Sequence, residues 1–179
     1  MLLFFLAIVG GVDALFPERT FAQPSPLEYQ VKAAFLYQFS KFVEWPPEAF
    51  STSQYTICIG TVDSGPMAGA LQSIEGKETK GRRVVVKRFK APEELEFCHI
   101  LYISAAMADR LPEILDRLKG TSTLTVSDIS GFARRGGMIN LITVEDKIRF
   151  EINVEAAERA KLQISSHLLK LARIVSGEQ

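Results

Sequence analysis

The chain has 179 residues, the usual length of one domain with a hydrophobic core of its own. Its 21 basic residues balance 21 acidic residues. No surplus of positive charge is left to neutralise phosphates, so the composition excludes nucleic acid as an expected partner.

The N-terminal segment has the pattern of a secretory signal peptide. Residues 2–11 are apolar, and the small residue Ala22 follows at a suitable cleavage point. The apolar stretch is shorter than the ~20 residues that a membrane-spanning helix needs. No Lys or Arg precedes it, which leaves a buried N-terminal strand or helix as the alternative. We expect residues 1–22 to direct export to the periplasm, and residues 23–179 to form a single domain without direct membrane insertion.

A helix is predicted over residues 26–43. The face that this spacing directs toward the core consists of Leu27, Val31, Ala34, Phe35, Phe39 and Phe42. The opposite face is apolar as well, with Tyr29, Ala33 and Leu36. Because a helix with two apolar faces is either enclosed in a core or covered by another molecule, these three residues are candidates for a partner interface.

Strands and helices then alternate along the chain. Short apolar or β-branched segments predict strands at residues 55–60, 84–89, 98–103 and 123–126, with helices after Pro66 and over residues 107–119. Residues 138–144 and 148–154 form a predicted hairpin, and a final helix is predicted over residues 155–175. The fold class that follows is α/β: three αβα layers with a mainly parallel sheet and an antiparallel hairpin at one edge.

Polar residues follow three of the predicted strands. They are Asp63, Ser64, Ser104, Ser127 and Asp128. Ligands of open α/β sheets bind outside the carboxyl ends of the strands, so these residues are ligand-binding candidates. The alternative is that the same residues cap helices and form turns.

No catalytic or metal-binding set is identifiable. Gly60 and Gly65 have the spacing of a phosphate-binding loop, but Pro66 and Met67 replace its lysine and hydroxyl residue. Adjacent residues of a strand point to opposite faces, so Cys98 and His99 cannot form a nucleophile–base pair. The cysteines and histidines also lack the spacing of a zinc site. We therefore predict a protein that is not an enzyme and that uses neither cofactor nor metal.

Two further features allow two interpretations each. Residues 148–153 alternate strictly, which places Arg149 and Glu151 on one face, either as an ion pair on a solvated surface or as part of a recognition surface. The two cysteines, Cys58 and Cys98, form either a disulfide, as is common in exported proteins, or two buried thiols.

A series of short motifs, taken in order, resembles the YfiR family of periplasmic proteins. The motifs are Tyr29-Gln30-Val31-Lys32-Ala33-Ala34-Phe35-Leu36-Tyr37, Lys41-Phe42-Val43-Glu44-Trp45-Pro46, Cys58-Ile59-Gly60, Gly81-Arg82, Cys98-His99-Ile100-Leu101-Tyr102-Ile103, Leu124-Thr125-Val126-Ser127-Asp128, Gly136-Gly137-Met138-Ile139, Arg149-Phe150-Glu151-Ile152-Asn153 and Ile164-Ser165-Ser166. Together they extend over about residues 27–175.

The resemblance implies a periplasmic, non-catalytic α/β regulator that is often dimeric. Such a regulator binds the periplasmic sensor region of an inner-membrane signalling protein, a diguanylate cyclase, represses it and so lowers cyclic-di-GMP. The resemblance also implies a stabilising disulfide between Cys58 and Cys98. The alternative function is a periplasmic small-molecule-binding protein with its site at the carboxyl ends of the parallel strands.

Overall fold

The structure is a computed structural model that describes residues 25–62, 65–145 and 147–177. The α-helices within these residues are α1 (Pro26–Phe42), α2 (Pro66–Ala70), α3 (Leu111–Arg117), α4 (Val154–Arg159) and α5 (Ser166–Leu171). The strands are β1 (Val43–Glu44), β2 (Thr56–Val62), β3 (Glu78–Thr79), β4 (Arg82–Phe89), β5 (Ile100–Ile103), β6 (Leu124–Ser127), β7 (Ile139–Val144), β8 (Lys147–Ile152), β9 (Gln163–Ile164) and β10 (Arg173–Ile174). The predicted leader, residues 1–22, lies outside the described residues.

One sheet of eight strands organises the domain, in the order β10-β8-β7-β6-β5-β2-β4-β3. The five central strands β4, β2, β5, β6 and β7 are parallel to one another. The β7–β8 hairpin is antiparallel and is followed by the short parallel strand β10 at one edge. At the other edge β3 pairs antiparallel with β4. The predicted mainly parallel sheet with an antiparallel hairpin is confirmed.

Both faces of the sheet are covered, which produces the three layers. In β5, Ile100 and Tyr102 belong to a core shared with α1, α2 and α4, while Leu101 and Ile103 belong to a second core with α3. All four side chains are buried. A strand that is buried on both sides has a continuous apolar sequence, and residues 100–103 show this pattern.

Helix α1 buries its second apolar face, with Ala33 and Leu36. Ser25 caps the helix by accepting a hydrogen bond from the Glu28 backbone N–H (3.2 Å). The buried residues are Lys32, Ala33, Leu36, Phe39 and Ser40. The core face predicted from the sequence was wrong for Leu27 and Val31, which are exposed, and right for Phe39, which is fully buried. Because both faces are apolar, the contacts of α1 with α2 and α5 select the buried face.

The predicted C-terminal helix over residues 155–175 is also incorrect, because the segment is divided into α4, β9, α5 and β10. Lys161 adopts a left-handed conformation (φ 60°), which ends the helical path after α4. Ser165 then starts a new helix, and its hydroxyl accepts from the Leu168 backbone N–H at 3.2 Å. Capping by a short polar side chain stabilises this break, although the apolar spacing continues across it.

The turn before β7 requires two glycines. Gly136 has a φ of 97°, in the region that side chains with a Cβ rarely adopt. A Cβ on Gly137 would lie 2.1 Å from the ring of Phe132, which is fully buried. This close approach allows the Phe132 ring to complete the smaller core beside α3.

Candidate functional site

Ser127, one of the predicted strand-end residues, has a structural role. Ser127 is fully buried; its hydroxyl donates to the Ile103 carbonyl (2.7 Å) and accepts from the Ile129 backbone N–H (3.0 Å). Ser104 precedes the 3₁₀ helix Ala105–Arg110 and is half-buried. Asp63 and Ser64 lie outside the described residues. Ser127 thus acts as the turn former that the alternative interpretation proposed.

Asp128 is paired with a buried lysine from α1. Its Oδ2 accepts from Lys32 Nζ at 2.6 Å, and the same ammonium group lies 2.8 Å from a carboxylate oxygen of Glu28. Burial works to lower the pKa of Lys32, but hydrogen bonds and charges from Asp128 and Glu28 outweigh it, so its pKa is raised. The ammonium group of Lys32 therefore contacts Asp128 at the end of β6, where the sequence predicted a bound ligand.

Tyr102 lies beneath this ion pair and is fully buried. Burial raises the pKa of its hydroxyl, and the negative charge of Asp128 raises it further. The tyrosine therefore remains protonated. No group of three or more His, Cys, Asp or Glu side chains within the described ranges is arranged to hold a metal ion.

The disulfide between Cys58 and Cys98 is present and joins β2 to the residues before β5, with 4.8 Å between the two Cα atoms. His99 connects to the same strand twice: its backbone N–H donates to the Cys58 carbonyl (3.0 Å), and its Nδ1 accepts from the Cys58 N–H (3.0 Å). Gly60 provides the space for the bridge, because a Cβ there would lie 3.0 Å from Cys98 Sγ. The pairing implied by the resemblance is confirmed.

His99 is enclosed by aromatic rings. Its imidazole stacks on Phe50 (centroids 4.6 Å apart), and the edges of Trp45 and Phe97 complete the enclosure. Burial lowers the pKa of His99 to about 4; the backbone of Ala49 opposes this shift and the charge of Arg82 adds to it. The imidazole is neutral at neutral pH and serves as a packing group.

A groove between α1 and the β7–β8 hairpin is exposed. Its volume is about 470 Å³. We name it the α1–hairpin groove; its lining residues are Ser25, Leu27, Glu28, Val31, Phe35, Thr143, Lys147 and Ile148. Among these residues, Leu27 is 68% exposed and Val31 is 38% exposed. Exposed apolar side chains that cluster in this way are typical of contact surfaces.

The structure divides the predicted partner-interface residues. Tyr29 is half-buried and Arg149 is exposed. Ala33 and Leu36 are fully buried, so their assignment to an interface is corrected: their face of α1 packs on the sheet and on α2. Glu151 is corrected as well, because it is 3% exposed and forms an ion pair with Arg173 of β10.

A family model provides the comparison with known proteins. The model described as YfiR/HmsC-like matches residues 29–173. The chain belongs to the YfiR/HmsC-like family. The YfiR/HmsC-like match extends from the first turn of α1 to the start of β10, so it includes the disulfide, the Lys32–Asp128 pair and most of the α1–hairpin groove.

The YfiR/HmsC-like family is periplasmic and regulatory, and membership is consistent with a role in cyclic-di-GMP signalling. No helix of the described segments is both long and apolar enough to cross a bilayer.

Two residues of this site were missed at the level of sequence. The pair of Lys32 with Glu28 could be predicted, because the two residues are one helical turn apart. The pair with Asp128 could not, because Asp128 is 96 residues away. The enclosure of His99 was not visible either: Phe97 is two residues away, but Trp45 and Phe50 come from the segment that follows α1.

Proposed function

We propose that this protein is a periplasmic, non-catalytic regulator that binds and represses an inner-membrane signalling protein. The proposed client is a diguanylate cyclase, so that binding lowers cyclic-di-GMP. Export would use the leader predicted at residues 1–22. The proposal rests on membership in the YfiR/HmsC-like family and on a surface that fits a protein partner.

The α1–hairpin groove is the observation that supports binding of a protein. Leu27 is 68% exposed, and Val31, one helical turn away, is 38% exposed. Glu28 and Lys147 place one charge of each sign on the wall of the groove. An apolar floor with charged walls is the arrangement of an interface core and its rim.

Arg149 is exposed and follows Ile148 on β8, so its side chain points to the face of the hairpin opposite to the groove. We therefore leave Arg149 out of the proposed interface. Tyr29 stays in it, while the apolar contacts move to Leu27 and Val31.

The disulfide agrees with the proposed compartment. Disulfides persist in oxidising compartments such as the periplasm. The bridge also takes both cysteines out of nucleophilic chemistry. Among the described residues, the neutral imidazole of His99 is enclosed by the aromatic rings of Trp45, Phe50 and Phe97. These features support a binding role rather than a catalytic one.

The first experiment measures intracellular cyclic-di-GMP in cells with and without the gene. Deletion should raise cyclic-di-GMP, and the exported protein should restore the low level, whereas a copy without residues 1–22 should not. An unchanged level on deletion would refute a diguanylate cyclase as the client.

The interface is tested with a matched pair of variants. Leu27→Glu places a charge in the groove, and Leu171→Glu places one at a similarly exposed leucine of α5 (68% and 63% exposed). Leu27→Glu should lose both repression and co-purification with the client's periplasmic region, while Leu171→Glu keeps both. Equal behaviour of the two exported, folded variants would exclude the α1–hairpin groove as the interface.

A further inference from the structure

Two adjoining cavities lie at the edge of the sheet formed by β3 and β4. The inner cavity has a volume of about 220 Å³, and its walls include Val43, Trp45 and Ile57. The outer cavity has a volume of about 420 Å³. Both are lined by Pro47, Phe50, Lys80 and Arg82, so these four side chains form the passage between them.

The Arg82 guanidinium is held in place but lacks an acidic partner. It stacks over the Phe50 ring at 3.8 Å, and the Phe50 ring stacks on His99. Its Nη1 makes a long 3.5 Å contact to the Lys80 carbonyl. Its Nε is buried and has no hydrogen-bond acceptor among the described residues. Within the same residues, Arg82 forms no ion pair with a carboxylate. A buried donor of this kind costs free energy unless something accepts from it.

Thr79 carries a second unsatisfied group. It is 5% exposed, it lines the inner cavity, and its hydroxyl has no partner within the described part of the chain. Thr79 and Arg82 are also direct partners in the β3–β4 pairing. The two unsatisfied groups therefore come from neighbouring positions at one cavity rather than from unrelated parts of the protein.

The turn that joins these residues has an unusual lysine. Lys80 and Gly81 both have positive φ values (49° and 72°), which is the geometry of a two-residue hairpin turn. Asparagine, aspartate or glycine is preferred at the first of these positions, because lysine is strained there. The turn nevertheless places a lysine at the passage, where its ammonium group pairs with Glu44 and donates to the Val43 carbonyl (2.9 Å).

We propose that this pocket binds a small monocarboxylate with a short apolar tail. The carboxylate accepts from Nε and one Nη of Arg82, an edge of the guanidinium that suits two parallel hydrogen bonds. The Thr79 hydroxyl donates to the same carboxylate, and the tail contacts the apolar wall of the inner cavity. Glu44 also lines that cavity, and its negative charge disfavours a doubly charged phosphate monoester. The proposal is independent of the client proposed above.

Butyrate is the probe, butanol is the uncharged control, and inorganic phosphate is the competing anion. A ¹H–¹⁵N titration of the full mature protein should show that butyrate shifts the Arg82 Nε–H, Thr79 amide and Trp45 indole signals. Butanol and phosphate should shift them much less. Absence of these shifts at about 50 mM butyrate, which fills even a millimolar site, would overturn the proposal. Binding of phosphate in preference to butyrate would overturn the ligand class.

Three variants locate the binding. Arg82→Gln should weaken butyrate binding at least tenfold, whereas Arg83→Gln, at the exposed neighbouring position, should not. Thr79→Val removes the unsatisfied hydroxyl while keeping the shape of the side chain. It should therefore weaken binding several-fold and leave the ligand-free protein at least as stable as the wild type. A loss of stability in Thr79→Val with unchanged affinity would show that the hydroxyl is structural and would overturn its role in the site.

Discussion

Replacing Lys32 by methionine tests whether the buried ion pair holds α1 on the sheet. Methionine keeps the length of the side chain and its apolar contacts but removes the charge. The side chain of Asp128 is 12% exposed and that of Lys32 is 3% exposed, so Asp128 would be left as a nearly buried carboxylate without its cation. The variant should preserve the fold but lose a large part of its stability.

The expected loss in the free energy of unfolding is about 3 kcal/mol for Lys32→Met, the lower end of the range for breaking a buried pair, because Asp128 is partly hydrated. Asp128→Asn should cost less, since Lys32 keeps Glu28 at 2.8 Å. The double variant removes both charges and should lie within about 1 kcal/mol of the wild type. The cycle should therefore give a coupling energy of at least about 2 kcal/mol between the two positions.

Urea unfolding followed by the fluorescence of Trp45, the single tryptophan, provides the measurement, because this ring is buried in the folded state. Lys119→Met is the matched control, because it breaks an exposed pair: the side chain of Lys119 is 78% exposed and that of Asp116 is 71% exposed. This variant should leave the urea midpoint unchanged. The raised pKa of Lys32 predicts that its contribution is present throughout the neutral range and is lost only above about pH 10.5. Additive single variants, or equal effects of Lys32→Met and Lys119→Met, would refute the reasoning.

Three further predictions concern packing, the disulfide and pH. Gly137→Ala should cost at least about 2 kcal/mol of stability, because its Cβ meets a buried ring at 2.1 Å. Gly69→Ala lies in a helix with open space around it and should stabilise the protein by up to about 1 kcal/mol. Thermal unfolding compares the two variants. Replacing Cys58 and Cys98 by alanine should cost about 4 kcal/mol, given a sequence separation of 40 residues, and the reduced wild type should approach the variant. In the folded protein the pKa of His99 is about 4. The neutral imidazole therefore contributes its full stability above about pH 6.5, and about 3 kcal/mol of the free energy of unfolding is lost as the pH falls toward 4. His99→Phe should remove that part of the pH dependence.

Each of these predictions has a contrary outcome. Equal melting temperatures for the two glycine variants would mean that the ring beside Gly137 can move. Unchanged urea midpoints after reduction would show that the bridge contributes no stability. A pH profile for His99→Phe parallel to that of the wild type would mean that the imidazole is accessible to protons in the folded state.

The strands β2, β4, β5 and β6 and the β7–β8 hairpin were predictable because their signal is local, whereas the two-residue strands β1, β3, β9 and β10 were not predicted. Residues 100–103 are apolar at every position, as is typical of a strand buried on both faces. Short parallel strands separated by helical segments define an αβα arrangement before any contact is known. The family was recognisable for a similar reason, since its motifs are contiguous residues.

The orientation of α1 was not predictable from its own residues. Leu27 and Val31 on one face and Ala33 and Leu36 on the other satisfy the same helical period. Burial is decided by the neighbours, and α1 packs its Ala33 face against residues far away in sequence. The break at Lys161 was not predicted because the apolar spacing continues across it. The new helix that starts at Ser165 is held by a tertiary contact, in which the Ser165 N–H donates to the Phe42 carbonyl (2.9 Å).

The class of fold, the family and the pair of cysteines follow from residue types in local order. Which polar residues meet depends on how distant segments pack. Asp128 receives Lys32 from 96 positions away, Cys98 reaches Cys58 through the register of β2 on β5, and Thr79 and Arg82 share a cavity with Phe50. Hydrogen bonds and ion pairs act only over a few ångströms, and that proximity is created when the sheet and its helices pack.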